Sequence, residues 1–192
     1  MYQNQKRRTF YLNVLVVEPG YAPYEKEING LREMQAVVGG GIQAIYPYQE
    51  PVAKVNYFWG GKSLVLGWDS RWGTTMQVTA AGSSSTGTYR PYGMDCSGFV
   101  DWVFYNATGG EYIIGHGGGA SAQHSYCTAI AWDEALPGDL VFYPEDSHVG
   151  IVGGRDENGN LLIIHCASGA NNVVITGVDG FTSIGRPVYF TE

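Results

Sequence analysis

Apolar side chains recur at helical spacing between residues 96 and 107, and this is the clearest pattern in the chain. The residues that share the resulting face are Cys96, Phe99, Val100, Val103 and Ala107. Asp95 precedes them with a side chain that suits a helix N-cap, and Gly109-Gly110 follows them as a stop signal. The sequence therefore predicts a helix that begins at Cys96 and buries one face. The absence of a side chain at Gly98, in its first turn, lets another segment of the chain approach closely.

Five apolar runs follow residue 137 and predict a set of strands. In order, they are "GDLVFY", "HVGIVGG", "LLIIHCAS", "NNVVITGV" and "GRPVYF". The turn "PEDS" joins the first two runs and "ENGN" joins the second to the third, so these strands should be antiparallel neighbours. A helix followed by an antiparallel sheet belongs to the α+β class.

The first 53 residues carry a shorter pattern, which predicts a small N-terminal αβ appendage. "YLNVLVV", residues 11–17, predicts a strand, because its apolar run is too short and too interrupted for a signal peptide. "EINGLREMQAVVGG" predicts a short helix and "GIQAIYPY" a second strand. A segment of about 45 residues buries too little apolar surface to be stable alone. We therefore expect it to pack against the domain that follows.

Composition and charge remove several classes of function. The 192 residues suit one domain with a small appendage, and no apolar run is long enough to cross a bilayer. The net charge of −7 and the lack of a basic stripe argue against a nucleic-acid partner. The three cysteines, Cys96, Cys127 and Cys166, include no C-x-x-C pair, so neither a disulfide framework nor a zinc site is expected.

Two segments rich in small residues connect these elements. The stretch between Gly61 and Asp95 carries four aromatic residues, Trp68, Trp72, Tyr89 and Tyr92, which favour a packed loop over a cleft rather than a flexible linker. "GHGGGASAQH" predicts a mobile loop beside that cleft, and its two histidines are His116 and His124.

Cys96 has a position that suits a nucleophile. Unpaired N–H groups and a partial positive charge at a helix N-terminus favour a thiolate, although an inert buried cysteine is the alternative. His148 opens a strand after the "PEDS" turn, and His165 lies near the end of the next strand. If the two strands are neighbours, the imidazoles are adjacent and supply the base and the orienting group that a cysteine nucleophile needs. By alternation Cys166 points away from His165, as a small apolar filler.

Four motifs, in this order, resemble the NlpC-type (NlpC/P60) cell-wall cysteine peptidases: "YFWGGKS", "MDCSGFVDWVF", "PGDLVFYPEDSHVGIVGG" and "LLIIHCASG". The resemblance covers residues 56–190 and implies a papain-like fold, with a catalytic domain over 54–192. That family cuts peptidoglycan stem peptides, typically between γ-D-glutamate and a diamino acid such as meso-diaminopimelate. It uses a Cys-His-His site with no metal or other cofactor. Residues 11–53 resemble the start of an uncharacterised domain family of bacteria and mobile elements.

The resemblance assigns roles by position. Cys96 corresponds to the nucleophile, kept ionised by His148 and the helix terminus, His148 to the general base and acid, and His165 to the group that orients His148. The backbone N–H of Cys96 is expected to hold the oxyanion, together with a second donor that the sequence does not identify.

Three further residues match substrate-binding positions of the family. Tyr57 corresponds to a tyrosine that lines the site, and Asp95 and Ser97 to positions that hold the free amino end of the stem peptide. The segment between "YFWGG" and "DCSG" is longer here than in many relatives, and we expect this insertion to wall off one end of the groove.

Other functions stay open on the same residues. An amidase, a transpeptidase or an acyltransferase would use the same three side chains, and a peptidoglycan-binding module without activity is the alternative outside enzymes. The expected partner is a stem peptide bound by a monomer. The expected location is the bacterial cell wall or its exterior, with a phage or mobile element as another possible source of the gene.

Overall fold

The computed structural model describes residues 11–16, 24–29 and 55–190. The strands at the start of the chain are β1 (Tyr11–Val16) and β2 (Tyr24–Asn29). The next four are β3 (Asn56–Tyr57), β4 (Thr75–Gln77), β5 (Tyr89–Pro91) and β6 (Gly93–Met94). The α-helices are α1 (Cys96–Ala107) and α2 (Gly119–Ser125). The last six strands are β7 (Cys127–Ala129), β8 (Leu140–Phe142), β9 (Val149–Arg155), β10 (Leu161–Ala167), β11 (Asn172–Thr176) and β12 (Ser183–Pro187). Short 3₁₀ helices lie at Ile114–Gly117, Trp132–Glu134, Pro144–Asp146 and Val188–Phe190.

The last six strands form one antiparallel sheet in the order β11-β10-β9-β8-β12-β7. This arrangement confirms the predicted α+β class and the neighbouring strands on either side of "PEDS" and "ENGN". In the "PEDS" turn Glu145 and Asp146 have φ of 58° and 53°, a left-handed conformation that reverses the chain tightly. The run "GRPVYF" is not a strand to its end. Its partner β7 starts at Cys127, opposite Pro187, so the ladder stops there and a 3₁₀ helix follows.

Helix α1 has the predicted bounds and most of the predicted buried face, except that Val103 is only half-buried and Phe104 is buried instead. Asp95 is its N-cap, and the carboxylate accepts a hydrogen bond from the backbone N–H of Gly98 at 2.6 Å. Phe99, Val100 and Phe104 pack on the side chains of β8, β9 and β10, which form one continuous core with the helix. A side chain at Gly98 would meet the carbonyl oxygen of Gly61 at 2.0 Å, so only glycine fits in this turn. The helix start is therefore fixed by both its cap and its neighbour.

The segment between Gly61 and Asp95 is an ordered loop, as its aromatic residues predict. Trp72 and Tyr92 are buried, while Trp68 and Tyr89 stay exposed. Strands β4 and β5 form a hairpin within it. The parallel pair of β3 and β6 places Tyr57 opposite Met94, at the entrance to α1.

The segment "GHGGGASAQH" is not the predicted mobile loop, because it forms the 3₁₀ helix Ile114–Gly117 and most of α2. Gln123 explains the difference: its side chain is fully buried, and its amide donates to the carbonyl of Ser97 and to the carboxylate of Asp101 on α1. Tertiary hydrogen bonds thus order a glycine-rich stretch that has little helix propensity of its own.

Near the N-terminus the described residues form an antiparallel pair, β1 with β2. The strand predicted at 11–17 is present as Tyr11–Val16. The helix predicted from residue 27 is wrong at its start, because Glu27 to Asn29 pair with β1 as a strand. Pairing with a neighbouring strand overrides the helical pattern there. The rest of that helix and the strand "GIQAIYPY" lie outside the described residues. No helix in the described part of the chain has the length and apolarity that a membrane span requires.

Candidate active site

Cys96 lies at the first position of α1 with 7% of its surface exposed. Burial, and next the carboxylate of Asp95, raise the pKa of its thiol to about 11, although backbone hydrogen bonds at Val149, Ser97 and Cys96 itself act in the opposite direction. At neutral pH the resting side chain is therefore a thiol. Burial therefore opposes the ionised state that the helix terminus favours, because desolvation raises the pKa more than the hydrogen bonds at the helix start lower it.

His148 and His165 come together across the β9–β10 hairpin. The Nε2 atom of His148 lies 2.7 Å from Nδ1 of His165, and Nε2 of His165 lies 3.1 Å from the hydroxyl of Thr176 on β11. Burial, and next the neighbouring His165, lower the pKa of His148 to about 4, and burial lowers the pKa of His165. Both rings are therefore neutral at pH 7, which makes His148 able to accept a proton.

The hydrogen bonds of Thr176 assign the tautomer of both rings. The Thr176 hydroxyl donates its one proton to the carbonyl of Gly177 at 3.0 Å, so it must accept from Nε2–H of His165. Nδ1 of His165 is then the acceptor for Nε2–H of His148. This series of hydrogen bonds leaves Nδ1 of His148 as the unprotonated ring nitrogen. Sequence reasoning missed Thr176, whose position on the His165 face of the sheet depends on the β10–β11 register.

Acidification should destabilise the protein through these histidines. A histidine whose pKa is lowered from 6.5 to about 4 on folding binds its proton first in the unfolded chain, so stability is lost as pH falls from 6.5 to 4. We expect the melting temperature to fall over this range more steeply in the native protein than in His148→Gln. Differential scanning fluorimetry between pH 4 and 7 measures this dependence. If the melting temperatures of the native protein and of His148→Gln fell equally with pH, the assignment of a neutral buried His148 would be contradicted.

Tyr57 lies beside the cysteine. Burial, and next the proximity of Cys96 and Asp95, raise the pKa of its phenol, which is therefore a neutral donor at any physiological pH. Its backbone N–H donates to the side chain of Asn171 at 2.9 Å, which ties this strand to the turn between β10 and β11. The structure thus brings Tyr57 together with Cys96, as the sequence predicts.

Asp95 and Ser97 are buried and already engaged within the protein. One carboxylate oxygen of Asp95 accepts from Gly98 and from the Ser97 hydroxyl (2.9 Å), and the other accepts from the backbone N–H of Gly60 at 3.0 Å. A carboxylate has about four acceptor positions, so one position on the second oxygen is left for a ligand. Their role toward a substrate amino group stays a prediction.

His124 and Cys166 have partners outside the pair of catalytic candidates His148 and His165, although Cys166 lies within electrostatic range of Cys96. His124 stacks on Phe142 at 4.0 Å, and its Nδ1 atom lies 2.7 Å from the carboxylate of Asp146. The side chain of His116 lies outside the described part of the chain. Cys166 points away from His165 and is fully buried, with its thiol on the carbonyl of Met94. These contacts give His124 and Cys166 structural roles.

A cleft of about 700 Å³ opens beside the paired histidines. Its lining includes Tyr57, His148 and His165 and, from a second part of the chain, Ser83–Ser85 and Arg90. The second group belongs to the insertion, which therefore borders the cleft. Its expected closing of one end of the groove stays a prediction. Among the described residues no three His, Cys, Asp or Glu side chains are grouped in a way that would hold a metal ion.

Two of the three comparisons with known proteins point to the same family for the larger part of the chain. A sequence model of the NlpC/P60 family matches residues 54–182, and a domain of unknown function, DUF3846, matches residues 12–56. A search of curated proteins finds no match.

Solved structures with a similar fold include three domains of the same kind. The peptidoglycan hydrolase RipB from Mycobacterium tuberculosis is 26% identical, with a TM-score of 0.48 over 69% of this chain and 57% of its own. A P60 domain of an antigen from M. avium subspecies paratuberculosis is 24% identical, with a TM-score of 0.46 over 69% and 84%. RipD of M. tuberculosis, described as a non-catalytic NlpC/p60 protein adapted to peptidoglycan binding, is 18% identical, with a TM-score of 0.43 over 61% and 88%.

Proposed function

The chain belongs to the NlpC/P60 family, and we propose that it is a cysteine endopeptidase of peptidoglycan stem peptides. The bond that it hydrolyses is the one between γ-D-glutamate and a diamino acid such as meso-diaminopimelate. The observations that carry the proposal are the contact between His148 and His165 and the hydrogen bond of Cys96, at the start of α1, with the backbone of Val149, which follows His148 in the chain. A thiol, an adjacent base and a group that orients the base are together what acyl transfer requires.

The neutral resting state determines how the nucleophile is activated. The thiol proton of Cys96 passes to Nδ1 of His148 as the sulfur bonds to the scissile carbonyl carbon, whose π electrons move to the oxygen. The N–H of Cys96 donates to that oxyanion. When the electron pair returns, the amine of the diamino acid leaves with the proton from His148. Water then attacks the thioester and gives a proton to His148, which returns it to the departing sulfur.

His165 and Thr176 act through His148 in this scheme. Thr176 holds His165 in the tautomer that accepts at Nδ1, and His165 in turn keeps the proton of His148 on Nε2. The base nitrogen is therefore preorganised before substrate arrives. His165 also stabilises the imidazolium that forms when His148 takes the thiol proton.

Thr176→Val should lower kcat by about 3- to 10-fold, since a net hydrogen bond is worth roughly 1 kcal/mol. KM should stay unchanged, because Thr176 does not line the cleft near the scissile bond. Thr176→Ser, which keeps the hydroxyl, is the matched control and should retain activity. Steady-state kinetics on a defined stem peptide measures both constants, and equal kcat in the valine and serine variants would refute this positioning role.

Digestion of purified peptidoglycan tests the proposed function directly. Mass spectrometry of the released peptides should find diamino-acid peptides with a new free amino group. New cross-links would instead identify a transpeptidase, and release of stem peptides from the glycan would identify an amidase. Binding without any product would indicate a peptidoglycan-binding module and would overturn the proposal.

We place the protein's action at the peptidoglycan itself, as a monomer in the bacterial wall or outside the cell. A gene on a phage or mobile element would fit the same activity. Residues 1–53 form the N-terminal segment and residues 54–192 the catalytic domain in this proposal. No cofactor is required, because a thiol and an oxyanion donor suffice for each step.

A further inference from the structure

The charge of the cleft differs from that of the chain. The protein has a net charge of −7, yet no Asp or Glu is among the described residues that line the cleft, and Arg90 is the fully ionised side chain there. The same cleft is lined by Ser83, Ser84 and Ser85, which carry hydroxyl groups. A guanidinium in a cleft that also carries hydroxyl groups is suited to bind a carboxylate, and no acidic side chain in the described lining competes for the guanidinium.

Arg90 is oriented but not neutralised. It lies on β5, opposite Met76 of β4, and its Nε atom donates to the hydroxyl of Thr88 at 3.2 Å. Within the described part of the chain its two Nη groups have no hydrogen-bond acceptor. By contrast, Arg71 and Arg186 are paired with carboxylates, at Asp69 and Asp139 respectively. Arg90 therefore keeps its bidentate face available to a ligand.

The serines are held in place by the loop that carries them. The hydroxyls of Ser83 and Ser85 lie 2.8 Å apart, and the backbone N–H of Ser85 donates to Ser83 at 3.1 Å. Just beyond them, the hydroxyl of Thr86 donates to the carbonyl of Ala80 at 2.7 Å. Ser84 is exposed between its two fixed neighbours. This part of the cleft lining is thus an ordered surface with several hydroxyl groups.

We propose that Arg90 and the Ser83–Ser85 segment form a subsite for a carboxylate of the substrate, which selects acidic stem peptides over amidated ones. This inference rests on the proposed function. A γ-linked D-glutamate keeps a free α-carboxylate next to the scissile bond, and the diamino acid carries carboxylates on the other side. Either group has the required chemistry. The insertion would then set the preference of this protein for the amidation state of its substrate.

The test compares three synthetic tripeptides. The first is L-Ala-γ-D-Glu-meso-diaminopimelate, the second has the glutamate α-carboxylate as an amide, and the third has both diaminopimelate carboxylates as amides. We expect the native protein to favour the first over one of the amides by about 10- to 100-fold in kcat/KM, since hydrogen bonds to charged groups are worth roughly 1.5–3 kcal/mol. The amide that is disfavoured identifies which carboxylate is bound.

Arg90→Gln should lose this preference. Its kcat/KM for the acidic tripeptide should fall, and its kcat/KM for the disfavoured amide should equal that of the native protein. Arg90→Lys should keep part of the preference, because lysine supplies the charge without the planar fork. Arg155→Gln is the matched control: it changes the net charge equally, but Arg155 lies outside the cleft lining and bonds to the carbonyl of Gly159. Its preference should equal that of the native protein. Melting temperatures check that each variant is folded.

Two results separate this subsite from the proposed function. If the native protein cleaves the acidic tripeptide and the Arg90→Gln variant has the same acid-to-amide ratio, the subsite is refuted while the function stands. If no tripeptide is cleaved, the proposed function fails. Calorimetry with the Cys96→Ser protein then measures binding of the acidic and amidated tripeptides directly. Equal affinity for the three, or an acid preference that survives Arg90→Gln, would refute the subsite.

Discussion

Cys96→Ser should reduce hydrolysis of stem peptides by roughly 10⁴-fold or more, because a serine hydroxyl is a far weaker nucleophile than a thiol under the same base. The substitution barely changes side-chain volume, and a hydroxyl accepts the same backbone hydrogen bonds at Val149 and Ser97. We therefore expect a melting temperature close to that of the native protein. Peptide release followed by liquid chromatography measures the rate, and differential scanning fluorimetry measures stability.

The other two cysteines supply matched controls for this result. Cys127 and Cys166 donate their thiol protons to the carbonyls of Gln123 and Met94, and burial raises the pKa of both to about 12. Cys127→Ser and Cys166→Ala should therefore retain turnover, with a modest loss of stability for the buried Cys166. Undiminished turnover in Cys96→Ser, or loss of turnover in both controls, would remove Cys96 from the mechanism.

His148→Ala should lower kcat by about 10²- to 10⁴-fold, the usual contribution of a general acid–base group. The loss of kcat in His165→Ala should be at least about tenfold smaller than the loss in His148→Ala, because a group that orients and stabilises the base is not itself the base. His124→Ala is the control, since His124 packs on Phe142 and contacts Asp146 away from the cleft. Equal losses in His148→Ala and His124→Ala, measured per mole of folded protein, would contradict the assignment.

Local sequence signals account for much of the fold that holds this site. The bounds of α1 follow from its apolar spacing, the Asp95 cap and the glycines after it. The antiparallel order of β8, β9 and β10 follows from two short turns. Both features depend on residues close in sequence, and the structure confirms both.

Features that depend on distant contacts were not predictable in this way. Gln123 orders α2 through bonds to α1, more than twenty residues earlier in the chain, which composition does not reveal. The parallel pair of β3 and β6 joins segments on either side of the insertion. Glu27 to Asn29 follow a strand partner rather than their own helical pattern.

The candidate site likewise combines features that follow from local sequence with features that depend on distant contacts. The proximity of His148 and His165 follows from hairpin topology, so the sequence predicts it. Thr176 depends on the register of β10 with β11, and Arg90 on how the insertion folds back over the cleft. The resting protonation of Cys96 depends on burial, which position on a helix does not determine.

The most direct test of the central claim uses L-Ala-γ-D-Glu-meso-diaminopimelate with the native protein and with Cys96→Ser, analysed by mass spectrometry. The native protein should release free meso-diaminopimelate and L-Ala-γ-D-Glu in equal amounts, and Cys96→Ser should release neither. An intact tripeptide in both reactions, or equal cleavage in both, would contradict a Cys96-dependent peptidase.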